Sequence, residues 1–172
     1  AEVGFVDTVS NGRLDLGVGS GYQEFEFERF GVKMADASAI YNEFLDILPK
    51  GLTQKIFEYE GRFLKVPPSS IAVRCIQDPM PPVWITSGNP VTLGRGVREG
   101  HNLFVTALLN GTDAVVALRE RLAQVAADNG ADLDDDVKFG FLRCAFASDK
   151  ASEIDAYLDN ARFQRRISES LK

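Results

Sequence analysis

Short apolar segments alternate with longer amphipathic segments along this chain, and this alternation restricts its possible folds more than any other feature. The apolar segments are 14–18, 83–85, 102–107 and 137–147, and helical spacing of apolar residues follows each of them. Buried strands that alternate with amphipathic helices form a parallel sheet covered by helices. The sequence therefore predicts an α/β fold. A doubly wound sheet and part of a (β/α)8 barrel both fit, because a full barrel needs about 200–250 residues.

The junction after the second apolar segment carries the clearest local signals. Val83–Ile85 is rich in strand formers, and Gly88 favours a tight turn after it. Asn89 and Pro90 are typical of an N-cap and a first helical residue, which places Thr92 in the first turn. Free N–H groups and the helix dipole attract anions to such a terminus. The junction is therefore either a cofactor phosphate site or an ordinary capped turn.

Glycine occupies one face of the first predicted strand. Gly17, Gly19 and Gly21 alternate with apolar residues at 16 and 18. Glycine on one face of a strand allows a flat ligand or a neighbouring backbone to come close. A barrel strand that is thinned to fit its taper is an equal alternative. The dinucleotide fingerprint is absent, because Tyr22 stands where the third glycine of G-x-G-x-x-G would be.

The remaining pattern predicts further elements around these strands. They are a helix ending at 11–12, a helix at 36–48 that Pro49 and Gly51 end, a hairpin at 57–64, a surface connection at 66–82, a helix at 111–129 and a last helix after 148–149. In the last helix Ile154, Leu158 and Ala161 are expected to face inward, and the tail from Arg165 to be loose. Residues 23–33 are either a lid over a pocket or a surface turn with a solvated acidic face.

Composition and charge exclude several classes of function. The net charge of -6 argues against nucleic acid as the main partner, and no apolar run is long enough to span a membrane. Cys75 and Cys144 are far apart and lack ligand-spaced neighbours, so we expect buried thiols in the reducing cytoplasm and no metal site. The acidic turn at 132–136 lacks a calcium-loop pattern.

An ordered set of short segments resembles the bacterial luciferase-like flavin monooxygenases. The segments are 7–14, 17–22, 26–32, 59–63, 81–84 and 89–93. This resemblance implies a (β/α)8 barrel that binds FMN at the carboxyl ends of its strands, with related members using a deazaflavin. It also implies that residues 1–172 form a single incomplete luciferase-like barrel domain, roughly strands four to seven with their helices.

The resemblance also implies which residues bind the cofactor. They are Ser20, Gly21, Tyr22, Ser87, Gly88, Asn89 and Thr92. Many members have arginine where this chain has Ser20, and its absence removes a charge-assisted contact to the phosphate. The family's catalytic histidine lies in the first three strands, which the resemblance places upstream of residue 1. No catalytic residue is assigned here, and His101 is expected to cap or pack at the end of a helix.

Three functions follow from this resemblance. The first is that of a flavin-dependent monooxygenase that oxidises a small organic substrate with reduced FMN and O2, with a flavin reductase as partner. The second is a deazaflavin-dependent oxidoreductase, and the third a flavin-binding protein without turnover. Four strands of a barrel would also leave open edges at 13–18 and 137–147. Open edges invite pairing, so we expect the chain to be unstable, aggregated or a homo-oligomer.

Overall fold

The structure, a computed structural model, describes residues 1–108 and 111–170. The helices are α1 (Glu2–Val9), α2 (Glu24–Arg29), α3 (Ala37–Thr53), α4 (Pro90–Arg98), α5 (Thr112–Asp128) and α6 (Ala151–Ser170). The strands are β1 (Leu16–Gly19), β2 (Phe57–Glu60), β3 (Lys65–Ser69), β4 (Val83–Thr86), β5 (Asn102–Leu108) and β6 (Phe139–Arg143). No helix within these ranges has the length and apolar character needed to cross a membrane.

Four strands form one parallel sheet in the order β1-β4-β5-β6. Gly17 lies opposite Trp84, Thr86 lies opposite Phe104, and Phe104 lies opposite Gly140. The remaining strands, β2 and β3, form a separate antiparallel ribbon. The predicted α/β fold with a parallel sheet is therefore confirmed. Within the described residues, β1 and β6 are the outer strands of that sheet, as expected.

The two faces of the parallel sheet differ in their surroundings. One face carries the apolar residues of the alternating pattern and packs against α3, α4 and α5 to form the core. Its most buried side chains are Leu45, Ile85, Leu93, Leu103 and Leu122. The opposite face carries Gly17, Trp84, Thr86 and Phe104, which are half-buried or exposed. The period-2 alternation of the strands therefore separates a core face from a face that is open to a ligand.

Asp7 connects α1 to the segment before β4 through a buried carboxylate. Its side chain is 0% exposed. Its Oδ2 accepts hydrogen bonds from the backbone N–H of Ile76 (2.8 Å) and Gln77 (3.0 Å), and its Oδ1 accepts one from Gln77 Nε2 (2.7 Å). Burial acts to raise the pKa of Asp7, but the hydrogen bonds from Gln77 and Ile76 outweigh it and hold the pKa below its ordinary value.

The Asp7→Asn variant is expected to be less stable at neutral pH, because an amide cannot accept all three of these hydrogen bonds. A carboxylate with a lowered folded-state pKa stabilises the fold above its unfolded pKa of about 4. That contribution is lost as the pH falls through the folded-state pKa. Urea unfolding should therefore separate the two proteins at pH 7 and bring them together in acid. An equal midpoint at pH 7 would contradict this, and exposed Asp113→Asn is the control.

Helix α3 extends beyond its predicted end. Pro49 and Gly51 were expected to stop it, but it continues to Thr53. The Thr53 hydroxyl donates to the Pro49 carbonyl (2.7 Å), and Leu48 on the preceding turn is buried in the core. Packing of the apolar face therefore overrides the weak helix propensity of this segment.

The predicted hairpin is present, but its second strand begins later than expected. Residues 61–64 form the connection, and β3 takes up the first part of the predicted surface connection at 66–82. The carboxylate of Glu43 in α3 holds the connection by accepting from the backbone N–H of Arg62 (2.8 Å) and Leu64 (2.8 Å). The two consecutive prolines of β3 lie where the register of the ribbon shifts, between the pairs Phe57–Ser69 and Tyr59–Val66, and such an irregularity tolerates proline.

The C-terminal part departs most from prediction. Strand β6 ends at Arg143, well short of residue 147. Helix α6 includes most of the predicted loose tail, and its Ile154 and Leu158 are exposed and Ala161 only half-buried, so the predicted inward face is wrong. These residues follow the outer strand β6, where no further described element covers them. Residues 171–172 lie outside the described residues.

The two cysteines are free. Cys75 is half-buried and Cys144 is exposed, so the expectation of two buried thiols is wrong, most clearly for Cys144. The reason is its position directly after the outer strand β6, where it lies beyond the packed core.

Candidate functional site

A cavity of about 1010 Å³ lies on the open face of the sheet, at the carboxyl ends of β1 and β4. Parallel strands in barrels and open sheets carry their ligands at this end. The lining residues come from β1, β4, β5, β6 and α5, from the turns after β1 and β4, and from the position just before β1. They are Asp15, Gly17, Val18, Gly19, Ser20, Gly21, Tyr22, Trp84, Thr86, Ser87, Gly88, Phe104, Val105, Thr106, Leu118, Arg121 and Gly140.

Two aromatic rings form the floor of this cavity. Trp84 and Phe104 pack edge to face, with ring centroids 6.5 Å apart and planes at 81°. Phe104 lies against Gly140, where an added Cβ would come within 2.8 Å of its Cδ2. Beside the floor, a Cβ on Gly17 would meet nothing within 4 Å. Glycine on the face of β1 therefore leaves open space beside an apolar floor, and that space can take a planar ring system.

The indole nitrogen of Trp84 has no hydrogen-bond partner among the described residues. It is buried, so a ligand in the cavity does not reach it and it adds no donor to the site. The fit of a flavin therefore rests on the apolar rings of Trp84 and Phe104 and on the open space beside Gly17.

The turn between β4 and α4 contains the predicted cap. Asn89 Oδ1 accepts from the backbone N–H of Val91 (2.9 Å), and Ser87 Oγ accepts from that of Asn89 (3.0 Å). The ordinary capped turn is thus observed, with Pro90 at the first helical position. Gly88 is not in the left-handed region, so the expectation that this turn needs glycine for its backbone conformation is wrong. Its lack of a side chain instead leaves open space at the cavity wall.

The predicted cofactor residues divide into two groups. Ser20, Gly21, Tyr22, Ser87 and Gly88 line the cavity, because β1 and β4 are adjacent and their following turns meet. Gly21 has a φ of 76°, which requires glycine, and a Cβ there would approach the Phe27 ring of α2 at 3.2 Å.

The other two residues lie behind the wall of the cavity. Asn89 caps α4, and Thr92, 8% exposed, sits in the first turn of that helix; neither is in the cavity lining. Asn89 can act on a ligand through the order that its cap imposes on the N-terminus of α4. Of the alternatives for residues 23–33, the structure has a short helix with Glu24, Glu26 and Glu28 exposed, and none of these three lines the cavity.

Arg121 of α5 is a cavity residue that the sequence analysis did not identify. Its Nη2 donates to the Gly88 carbonyl at 2.8 Å, which connects α5 to the turn after β4. Leu118, three residues earlier on α5, also lines the cavity. That spacing puts the two side chains on one face of the helix, so the signal was present in the sequence. The sequence does not show which face of α5 meets the cavity, so this spacing alone does not identify Arg121 as a cavity residue.

His101 is buried outside the cavity lining, as expected for a packing residue. Burial lowers the pKa of His101, although Glu99, with an oxygen 3.6 Å from Nε2, acts to raise it. The imidazole is therefore neutral at pH 7. We assign no catalytic residue.

Comparison with known proteins gives a family match over nearly the whole chain. Residues 1–170 match the luciferase-like monooxygenase family. An uncharacterised protein of Sinorhizobium fredii is 55% identical over 172 residues, which are 100% of this chain and 49% of that protein. The oxygenase component of a flavin-dependent trigonelline monooxygenase from Acinetobacter baylyi is 34% identical over 119 residues, 68% of this chain and 33% of that protein.

A solved structure of similar fold is that of the monooxygenase RslO1 from Streptomyces bottropensis. It is 21% identical, with a TM-score of 0.81 over 99% of this chain and 52% of that chain. The likeness confirms the predicted part of a (β/α)8 barrel. The chain spans about half the length, or less, of the curated relatives named above. With the parallel sheet and its cavity, the match over nearly all its length shows that the chain belongs to the luciferase-like monooxygenase family.

Proposed function

We propose that this chain supplies the flavin-binding part of a monooxygenase that oxidises a small organic substrate with reduced FMN and O2. The cavity at the carboxyl ends of β1 and β4 is the observation that carries this proposal. Reduced flavin supplies the reaction with oxygen, while the protein binds it, orients it and excludes water.

The cavity provides separate regions for the two ends of FMN. The rings of Trp84 and Phe104 and the open space at Gly17 suit the flat flavin ring. The turn from Ser87 to the N-terminus of α4 suits the phosphate, because the helix dipole favours negative charge there. The turn at 20–22 also lines the cavity. One ligand of this shape would use both regions at once.

A flavin reductase is the partner that this proposal implies. The similar protein from Acinetobacter baylyi is described as the oxygenase component of its monooxygenase. A protein of that kind receives reduced flavin from a separate component. We propose the same arrangement here, with reduced FMN entering through the open face of the cavity.

Variants of the α4 cap test the proposed phosphate position. Asn89→Ala removes an N-cap worth about 1 kcal/mol, and Thr92→Val removes a hydroxyl at constant volume. Each is expected to weaken FMN binding by about fivefold, measured by quenching of flavin fluorescence. Thr112→Val in the first turn of α5 is the matched control, because Thr112 is exposed and lies outside the cavity lining. Unchanged affinity in both cap variants would contradict the assignment.

Flavin titration, together with a measurement of oxygen uptake, separates the proposed monooxygenase from the two alternative functions. Tighter binding of a deazaflavin than of FMN would favour the deazaflavin-dependent oxidoreductase. Binding of reduced FMN without any change in its rate of oxygen consumption would favour a binding protein without turnover. The proposed function predicts preferential binding of FMN, together with an oxygen uptake rate that differs from that of free reduced FMN.

A further inference from the structure

We infer that Arg121 recognises the phosphate of the cofactor and makes this site select FMN over flavins without a phosphate. The inference rests on the proposed function and assigns a specificity-determining role within that site.

The position of Arg121 is the first step of the argument. Its guanidinium lies in the cavity lining and donates to the carbonyl of Gly88 at 2.8 Å. Gly88 immediately precedes Asn89, the N-cap of α4. The cation and the N-terminus of that helix therefore border the same end of the cavity. The apolar rings of Trp84 and Phe104 form a different part of the cavity lining.

The charge of Arg121 is the second step. Arg95 is held between Asp46 and Glu99, and Arg119, two residues before Arg121 on α5, pairs with Asp134. No carboxylate in residues 1–108 and 111–170 forms an ion pair with Arg121. Within those ranges its one hydrogen bond is the one to Gly88, so four of its five N–H donors remain available. An arginine that no carboxylate neutralises attracts an anion to the cavity wall. This local attraction acts although the net charge of the whole chain is -6.

The chemistry of the guanidinium identifies the anion. Its planar fork matches two phosphate oxygens, and charge-assisted bonds of this kind are stronger than neutral ones. Helix N-termini favour the same group. Ser20, which also lines the cavity, is neutral and adds no charge. Arg121 is therefore the residue expected to distinguish FMN from riboflavin, which has the same ring without the phosphate.

The test compares FMN and riboflavin as probes. Arg121→Gln is expected to weaken FMN binding about 10- to 100-fold and to leave riboflavin binding unchanged, measured by flavin fluorescence quenching. Its FMN affinity should also depend less on salt than that of the wild type, because the lost contact is ionic. Arg121→Lys should retain part of the preference. Arg119→Gln is the control, since it makes the same charge change on the same helix outside the cavity lining.

Each result has a defined meaning. A fall in FMN affinity alone supports the phosphate role. An equal fall for FMN and riboflavin would overturn it, because Arg121 would then act by ordering the turn at Gly88. Unchanged FMN binding by Arg121→Gln would also overturn it, while leaving the proposed function intact. If the wild-type chain binds neither flavin, the proposed function fails and this inference fails with it.

Discussion

The Gly17→Leu variant is expected to bind FMN about 10- to 100-fold more weakly than the wild type, because overfilling a packed site costs about 1–3 kcal/mol. A Cβ at Gly17 would meet no heavy atom within 4 Å, and its backbone is outside the left-handed region. A leucine can therefore be accommodated without strain when the cavity is empty. Its side chain would occupy the space beside Trp84 and Phe104 that we assign to the flavin ring.

This prediction separates loss of binding from loss of fold. Gly17→Leu should unfold in urea at a midpoint close to that of the wild type, since it removes no contact of the core. Gly17→Ala, which adds one carbon, should weaken flavin binding less than leucine. Both effects should appear equally with riboflavin, because they act on the ring and not on the phosphate. Full FMN affinity in Gly17→Leu would place the ligand elsewhere.

The Ile85→Ala variant is expected to lose about 2–5 kcal/mol of unfolding free energy, the cost of a cavity left by a large buried side chain. Ile85 is 0% exposed in β4, the strand between β1 and β5. It lies beneath α4, where a Cβ on Gly96 would approach its Cγ1 at 2.8 Å. That close approach leaves little room for the neighbours to move into the space that the alanine vacates.

Urea denaturation measures this loss, with an unchanged slope showing that the transition remains two-state. Val91→Ala is the matched control, because Val91 is 77% exposed on α4. It should change the unfolding free energy by no more than about 0.5 kcal/mol. Comparable destabilisation by the two substitutions would mean that the core does not lie between β4 and α4.

The features predicted correctly from sequence depend on short-range periodicity and capping. Alternation around Leu16–Gly19 and the strand formers at Val83–Ile85 predicted two parallel strands, and adjacent parallel strands bring their carboxyl ends together. Asn89 and Pro90 identified the start of α4 because the cap is a local hydrogen bond. These signals act over a few residues, so they can be read without knowledge of the tertiary fold.

The features that were missed depend on contacts between distant residues. Helix α3 passes Pro49 because its apolar face packs on the core, which the local sequence does not specify. The exposed face of α6 follows from its place beyond the outer strand β6. Arg121 belongs to the cavity because α5 meets the turn at Gly88, 33 positions earlier in the chain. Predicting each of these features requires knowledge of how the helices and strands pack, and not only of where they lie in the sequence.

The most direct test of the central claim is a titration of the purified chain with FMN, followed by quenching of flavin fluorescence. The claim is that the cavity at the carboxyl ends of β1 and β4 is a flavin site. We predict saturable binding with a Kd of about 1 μM or below, which Gly17→Leu weakens. Absence of quenching by the folded chain, or binding that Gly17→Leu leaves unchanged, would contradict the claim.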